Sequence, residues 1–416
     1  MLVTLNTVHP DRIRSVDREE FETIQRKTRS QTSVSSSIEN FGIDVQRDLV
    51  RSVTGQPEDV SFAKNVTGAD NLIMIAPITF AQLGDKCAEA LGHFQSDAYK
   101  TRYDWIDNLA RVIDPALVND LNSRLITALR TGATDHAFLT APDTLDRQEH
   151  RGFRYPRERP STDLHPDLRM EDFLKRVDRA QIALDDLYRW RIREYTTDEN
   201  NHSHTFRVYD AIIYEETIGA KLYVLSLGEW YEVAQDHVAS VNNELAQIPD
   251  HDGLVLADAE ANETEGEFNR RVAESSGGTL ALLDAKPVKY GGGRSSIEIC
   301  DLLSSDRNFI HVKAKTKSST LSHLFAQGLN SAQAFRNLEF RRLALSVCPR
   351  SHRSIFRGEP RVSDHTVTFG IITETAVPLR EALPFFSKQS LANAARELRN
   401  MGYRVRLNKI RRLSAS

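Results

Sequence analysis

Cysteine is scarce in this chain. Its three copies, Cys87, Cys300 and Cys348, are odd in number, far apart and part of no Cys-x-x-Cys or Cys/His grouping. That pattern excludes a disulfide framework and a structural zinc site of the usual spacings. Long apolar runs are missing as well, since no stretch approaches the roughly 18 residues that a membrane-spanning helix needs. The opening MLVTLNTVHPDRIRSVDREE carries charges where a secretory signal would place its apolar segment. These absences predict a cytoplasmic protein with no membrane partner. Repeats and low-complexity tracts are lacking too, apart from a short serine run at 35–37.

What is present is a globular composition. A chain of 416 residues with 40% apolar side chains can bury two or three cores. The net charge is only −4, but it is unevenly spread: from Cys300 to Ser416 there are 20 Lys and Arg against 8 Asp and Glu. That third carries +12 and the first 299 residues carry −16. A basic third on an acidic body suits a localised nucleic-acid surface. The alternative is that Arg404, Arg406, Arg411 and Arg412 merely form a solvated tail.

The periodicity predicts a mixed α+β protein in three regions. Residues 1–150 read as mostly helical. One helix there would carry Val45, Leu49 and Val50 on its apolar stripe and stop at Gly55, and two more would follow in YKTRYDWIDNLARVID and PALVNDLNSRLITALRTG. Residues 151–255 hold an Arg/Pro/His-rich linker, an amphipathic helix in LRMEDFLKRVDRAQIALDDL, and an aromatic β-hairpin turning at Ile218 to Lys221. Tyr209, Trp230 and Tyr231 on that hairpin either stack on bases or fill a core. Residues 256–416 predict the order α, β, β, β, α, β, followed by a further helix and strand.

Within the last region, IEICDLLSSDRNFIHVKAK reads as a hairpin carrying Glu298, Asp301, His311 and Lys313. A four-residue loop, Ser304 to Arg307, would pair 303 with 308, placing Glu298 opposite Lys313 and Cys300 opposite His311. Ile297, Ile299, Ile310 and Val312 would then share the other face, with Asp301 pointing into it. A β-bulge, or a loop of three or five residues, would instead bring Asp301 round to His311 and Lys313. Acids that hold a divalent ion near a phosphate, plus a lysine that positions water, are what a metal-dependent phosphodiesterase requires. Glu298, Asp301, His311 and Glu267 are therefore the candidate metal ligands, and Lys313, Glu298, His311 and Gln327 the candidate catalytic groups. Glu263, Glu267, Arg270 and Glu274 would lie along one helix face, and a solvated face is the plainer account of them. A rival Asp284-Ala-Lys286, followed by a glycine run, would flank the site.

The element order, with an acid on the middle strand and His311-Val-Lys313 on the next, resembles the PD-(D/E)xK restriction-endonuclease-like superfamily. The resemblance implies a nuclease core that uses Mg²⁺ or Mn²⁺. His311 stands where that family places an acid. Longer segments, RSQTSVSSSIENFGIDVQRDLVRSVTG, KNVTGADNL, LYVLSLGEWYEV and SHLFAQG among them, are similar to a sporadically distributed family of uncharacterised bacterial proteins from mobile or anti-phage defence neighbourhoods. Relative to longer relatives, a leading segment is expected to be missing. Together these readings predict a defence protein that acts on DNA or RNA through its basic C-terminal third. The alternatives are an inactive nuclease-fold module binding nucleic acid or a phage protein, and a purely structural protein; a homo-oligomer is compatible with all three.

Overall fold

The computed structural model describes residues 1–20, 27–45, 48–142, 150–159, 163–196, 202–251, 253–254, 256–290, 295–315 and 318–413. The chain folds as two compact units, Met1–His237 and Val238–Ser416. Both mix helices with sheets, giving an α+β protein rich in antiparallel pairing. Among the described residues no helix is long and apolar enough to cross a membrane.

The first unit departs from the helical expectation. Its leading element is a five-stranded antiparallel sheet in the order Lys27–Ser36, Val8–Glu20, Asp48–Pro57, Asn65–Gly68, Leu72–Ile75. The segment containing Leu49 and Val50 is thus a strand and not a helix, buried on Val53, Gly55 and Pro57. Gly55 is no helix stop. A Cβ there would lie 2.5 Å from Val8 Cγ1 and 2.8 Å from the Arg12 carbonyl, so glycine allows the neighbouring strand to come close where its register shifts. YKTRYDWIDNLARVID is likewise broken, into a short helix at Lys100–Tyr103, a 3₁₀ turn and a strand at Leu109–Arg111.

The helix Pro115–Thr131 forms as its sequence predicts: Asp114 caps the Ala116 N–H at 3.0 Å, proline opens it, and Gly132 closes it at φ 83°. The amphipathic stretch 168–187 becomes helical pieces, Met170–Leu174 and Leu184–Arg189, separated by a 3₁₀ turn. The aromatic hairpin is present as Ile212–Ile218 and Lys221–Ser226, with Gly219 at φ 63° in a two-residue turn, and a third strand, Glu229–Val233, extends it. Tyr209, Trp230 and Tyr231 are buried. Asn122 Oδ1 accepts from both the Tyr209 hydroxyl (2.7 Å) and the Trp230 indole N–H (3.0 Å). These rings are core and are closed to a base.

The second unit is built on a five-stranded sheet in the order Leu280–Leu282, Leu302–Ser304, Asn308–Ala314, Thr366–Thr373, Arg404–Arg411. The first three strands run antiparallel and the last two lie parallel to the third. Helix Glu265–Ser275 covers one face, packing Phe268 and Val272 on Leu302, Ile310, Val312, Ile372 and Ile410. Helix Ser318–Phe335 lies on the other, with Phe325 edge-on to Phe369 at 5.1 Å. Its Gly328 is a close-approach residue, because a Cβ would stand 2.5 Å from Phe369 Cε1. Gly328→Ala is expected to destabilise the protein by about 1–3 kcal/mol despite alanine's better helix propensity, read as a lower urea midpoint. An unchanged midpoint would mean that the Phe369 ring moves aside freely. Arg404, Arg406 and Arg411 belong to the last strand, and Arg412 donates to the carbonyls of Glu260, Ala261 and Glu263. They are not a free tail.

Candidate functional site

The decisive local feature is the turn between Leu302–Ser304 and Asn308–Ala314. It has three residues, Ser305 to Arg307, with Arg307 at φ 64°, and pairs Leu303 with Phe309 and Leu302 with Ile310. The four-residue register is therefore replaced by one shifted by a residue, and Glu298 is not the cross-strand partner of Lys313. SSIEICDLL is not one strand either: Ser295–Ile297 pairs with Val288–Tyr290 in a separate small sheet, and residues 298–301 cross between the two sheets. Gly291–Gly293 lie outside the described residues.

At the end of that crossing, Asp301 leaves the regular ladder. Its N–H donates to the Ile310 carbonyl at 3.0 Å, and its Oδ2 accepts the Val312 N–H at 2.6 Å, standing in for a strand carbonyl. Its own carbonyl accepts from the N–H groups of Leu283 and Asp284. Burial, aided by the nearby carboxylates of Asp284 and Glu298, pushes the Asp301 carboxyl up to about 7, against the opposing pull of the Val312 N–H and Lys313. Asp301 thus shares its surroundings with Asp284, Glu298 and Lys313.

Lys313 is held by a residue that the helix periodicity did not single out. Glu265, at the first position of its helix, accepts from Lys313 Nζ at 2.7 Å and from the Ala314 N–H at 3.0 Å. A signal for it existed in the sequence. Thr264 and Glu267 form a reciprocal capping box, which fixes the helix start and leaves Glu265 in the first turn. The same box occupies Glu267, which is exposed and directed at its own cap. Glu263 precedes the helix and pairs with Arg271 at 2.6 Å, so the expected acidic face does not form.

Glu298 is reached by the other predicted residue, Gln327, whose Nε2 donates to it at 3.3 Å. Asn269 is 1% exposed and donates to Asp284 Oδ2 at 3.2 Å, while its own Oδ1 has no hydrogen-bond partner. Lys286 folds back to the Leu282 carbonyl. His311 is set apart from the acids. It is 2% exposed, lies 3.3 Å from Ser331 Oγ, and burial lowers its pKa to about 4. A neutral imidazole packed between the helix and Phe369 is a core group.

Among the described residues no three His, Cys, Asp or Glu side chains converge to cage an ion by themselves. Magnesium asks for less: one or two carboxylates, with water and phosphate oxygens completing its shell. The hard carboxylate oxygens around Asp301 have that donor chemistry.

Residues 1–411 match the model of a family described as "Family of unknown function (DUF6119)". No curated protein and no solved structure matches the chain.

Proposed function

The chain belongs to this family, DUF6119, and from that premise we propose that its second unit is a metal-dependent nuclease acting in a defence setting. One observation carries the reading: Asp301, with the carboxylates of Asp284 and Glu298 nearby, immediately precedes the second strand of an antiparallel meander and lies near Lys313 of the third, and that third strand is followed by two helices and then a parallel strand. That order supports the restriction-endonuclease likeness, with one departure from the expected order: a second helix, Leu338–Val347, follows the first before the parallel strand. Asp301 with Asp284 or Glu298 would hold Mg²⁺ or Mn²⁺, which supplies positive charge to phosphate oxygens. Glu265 fixes the Lys313 ammonium and the backbone at Ala314, so the amine is positioned before a substrate arrives. Gln327 steadies Glu298.

A second reading has its own observation. His311 is sequestered in the core and Lys313 is already paired with Glu265, as in an inactive nuclease fold kept for binding.

The experiment offers the full chain duplex DNA, single-stranded DNA and RNA with Mg²⁺, Mn²⁺ or EDTA. Metal-dependent cutting that EDTA stops, and that Lys313→Ala loses while remaining folded, is the expected result. Folded protein that cuts none of the three with either metal sinks the nuclease and leaves the binding module.

A further inference from the structure

A second cluster in the same unit lies away from the acids. It is organised by Arg341, which is 3% exposed. One of its terminal nitrogens, Nη1, donates to the carbonyls of Phe335 (2.9 Å) and Arg336 (2.8 Å), and the other, Nη2, to that of Gly358 (3.3 Å). A single buried guanidinium thus ties the end of helix Ser318–Phe335 to the chain after the 3₁₀ turn Arg350–Phe356. Beneath the tie, Phe335 packs on Phe356 at 5.6 Å, on Phe309 at 5.0 Å and on His365 at 4.9 Å. His365 Nδ1 in turn lies 3.0 Å from the Arg361 carbonyl.

Along the chain, at or beside these anchors, stand Arg336, Arg342, Arg357 and Arg361. All four are exposed, and none has an ion pair among the described residues. Exposed guanidiniums without an ion pair, carried on backbone that Arg341 and His365 draw together, present positive charge to an anion. Arginine is the residue suited to bidentate contact with phosphate.

We infer that Arg336, Arg342, Arg357 and Arg361 form a docking surface for the sugar-phosphate backbone of a nucleic acid, separate from the acids around Lys313. The inference rests on the nuclease reading only for the class of ligand. Phe309 marks the arginine end of the central strand and Lys313 lies four residues along it, about 13 Å of strand rise. A backbone resting on arginines at that end would continue for at least about four nucleotides to reach Lys313. The surface would grip a flank of the substrate and not the bond being cut.

The test measures binding of a labelled duplex of roughly 20 base pairs, and of an RNA duplex of the same sequence, to the full chain in EDTA across a salt series. Replacing the four arginines with glutamine is expected to weaken binding at least tenfold at about 50 mM salt, and to flatten the plot of log affinity against log salt by about 0.9 per lost contact. Replacing the same four with lysine should keep the salt slope, because charge is kept, and weaken binding less than glutamine does, the loss being that of the bidentate contacts. DNA against RNA preference identifies the natural backbone. Unchanged affinity and slope in the glutamine variant, no binding by wild type at low salt, or equal competition by polyglutamate would each overturn the surface. The two proposals fail separately: weakened binding in the variant without any cutting by wild type keeps the surface and removes the nuclease, whereas cutting by wild type with unchanged binding in the variant does the reverse.

Discussion

Acidification from pH 7 to pH 4 is expected to affect two single variants in opposite directions relative to the wild type. Asp301→Asn should lose about 3 kcal/mol more stability than wild type over that range, and His311→Gln about 3 kcal/mol less. The signs follow from the two environments. The Asp301 carboxyl titrates near 3.8 when unfolded and about 7 in the fold, so its contribution is full below the first value and disappears as pH rises through the second. His311 titrates near 6.5 unfolded and about 4 folded, so its contribution is present above 6.5 and is lost as pH falls through 4. In the wild type the two oppose each other on acidification, and removing either unmasks the other. Asp301 faces Asp284, Glu298 and Lys313, whereas the shift at His311 comes from burial alone. The measurement is urea unfolding in EDTA at several pH values, taken as each variant's difference from wild type so that other carboxylates cancel. Two variants that both track the wild type would show that neither group is buried as described.

The second large effect separates adjacent arginines. Arg341→Ala is expected to cost about 4 kcal/mol, because three carbonyls lose charged donors and a buried side-chain volume empties. Arg342→Ala, one residue on and exposed, should stay within about 0.5 kcal/mol. For a unit of this size the first corresponds to a fall in Tm of roughly 10 °C. Equal melting of the two variants would mean that the tie between Arg336 and Gly358 is not a structural one. Arg341→Ala should also weaken duplex binding without removing any arginine of the docking surface, since Arg336 and Arg357 lose their common anchor.

The second unit was largely legible in the sequence. Helices Glu265–Ser275 and Ser318–Phe335 and the strands Asn308–Ala314 and Thr366–Thr373 stand where periodicity and turn residues put them, and Ile310 and Val312 share an apolar face as expected. Two things were not legible. Leu49 and Val50 sit at a spacing that a helix stripe also satisfies, and only the close approach of Val8 to Gly55 reveals a strand. The hairpin register depends on Arg307 adopting a left-handed conformation, which arginine does not advertise. That one residue shifts the pairing and takes Glu298 out of line with Lys313. Glu265 was missed for a related reason. Helix-face counting favours i, i+4 sets, whereas a first-turn acid acts on whatever lies beyond the helix end.

Asp301 and Glu265 also act on the backbone of the central strand. The strand Asn308–Ala314 outruns its antiparallel neighbour, which ends at Leu302, so the N–H groups of Val312 and Ala314 would face outward with no strand beside them. The two carboxylates occupy these N–H groups in succession. An unsatisfied strand edge is a template on which another chain can add. The acids therefore act as stoppers against intermolecular strand growth. A chain stripped of both would be expected to aggregate through this edge before it lost its core.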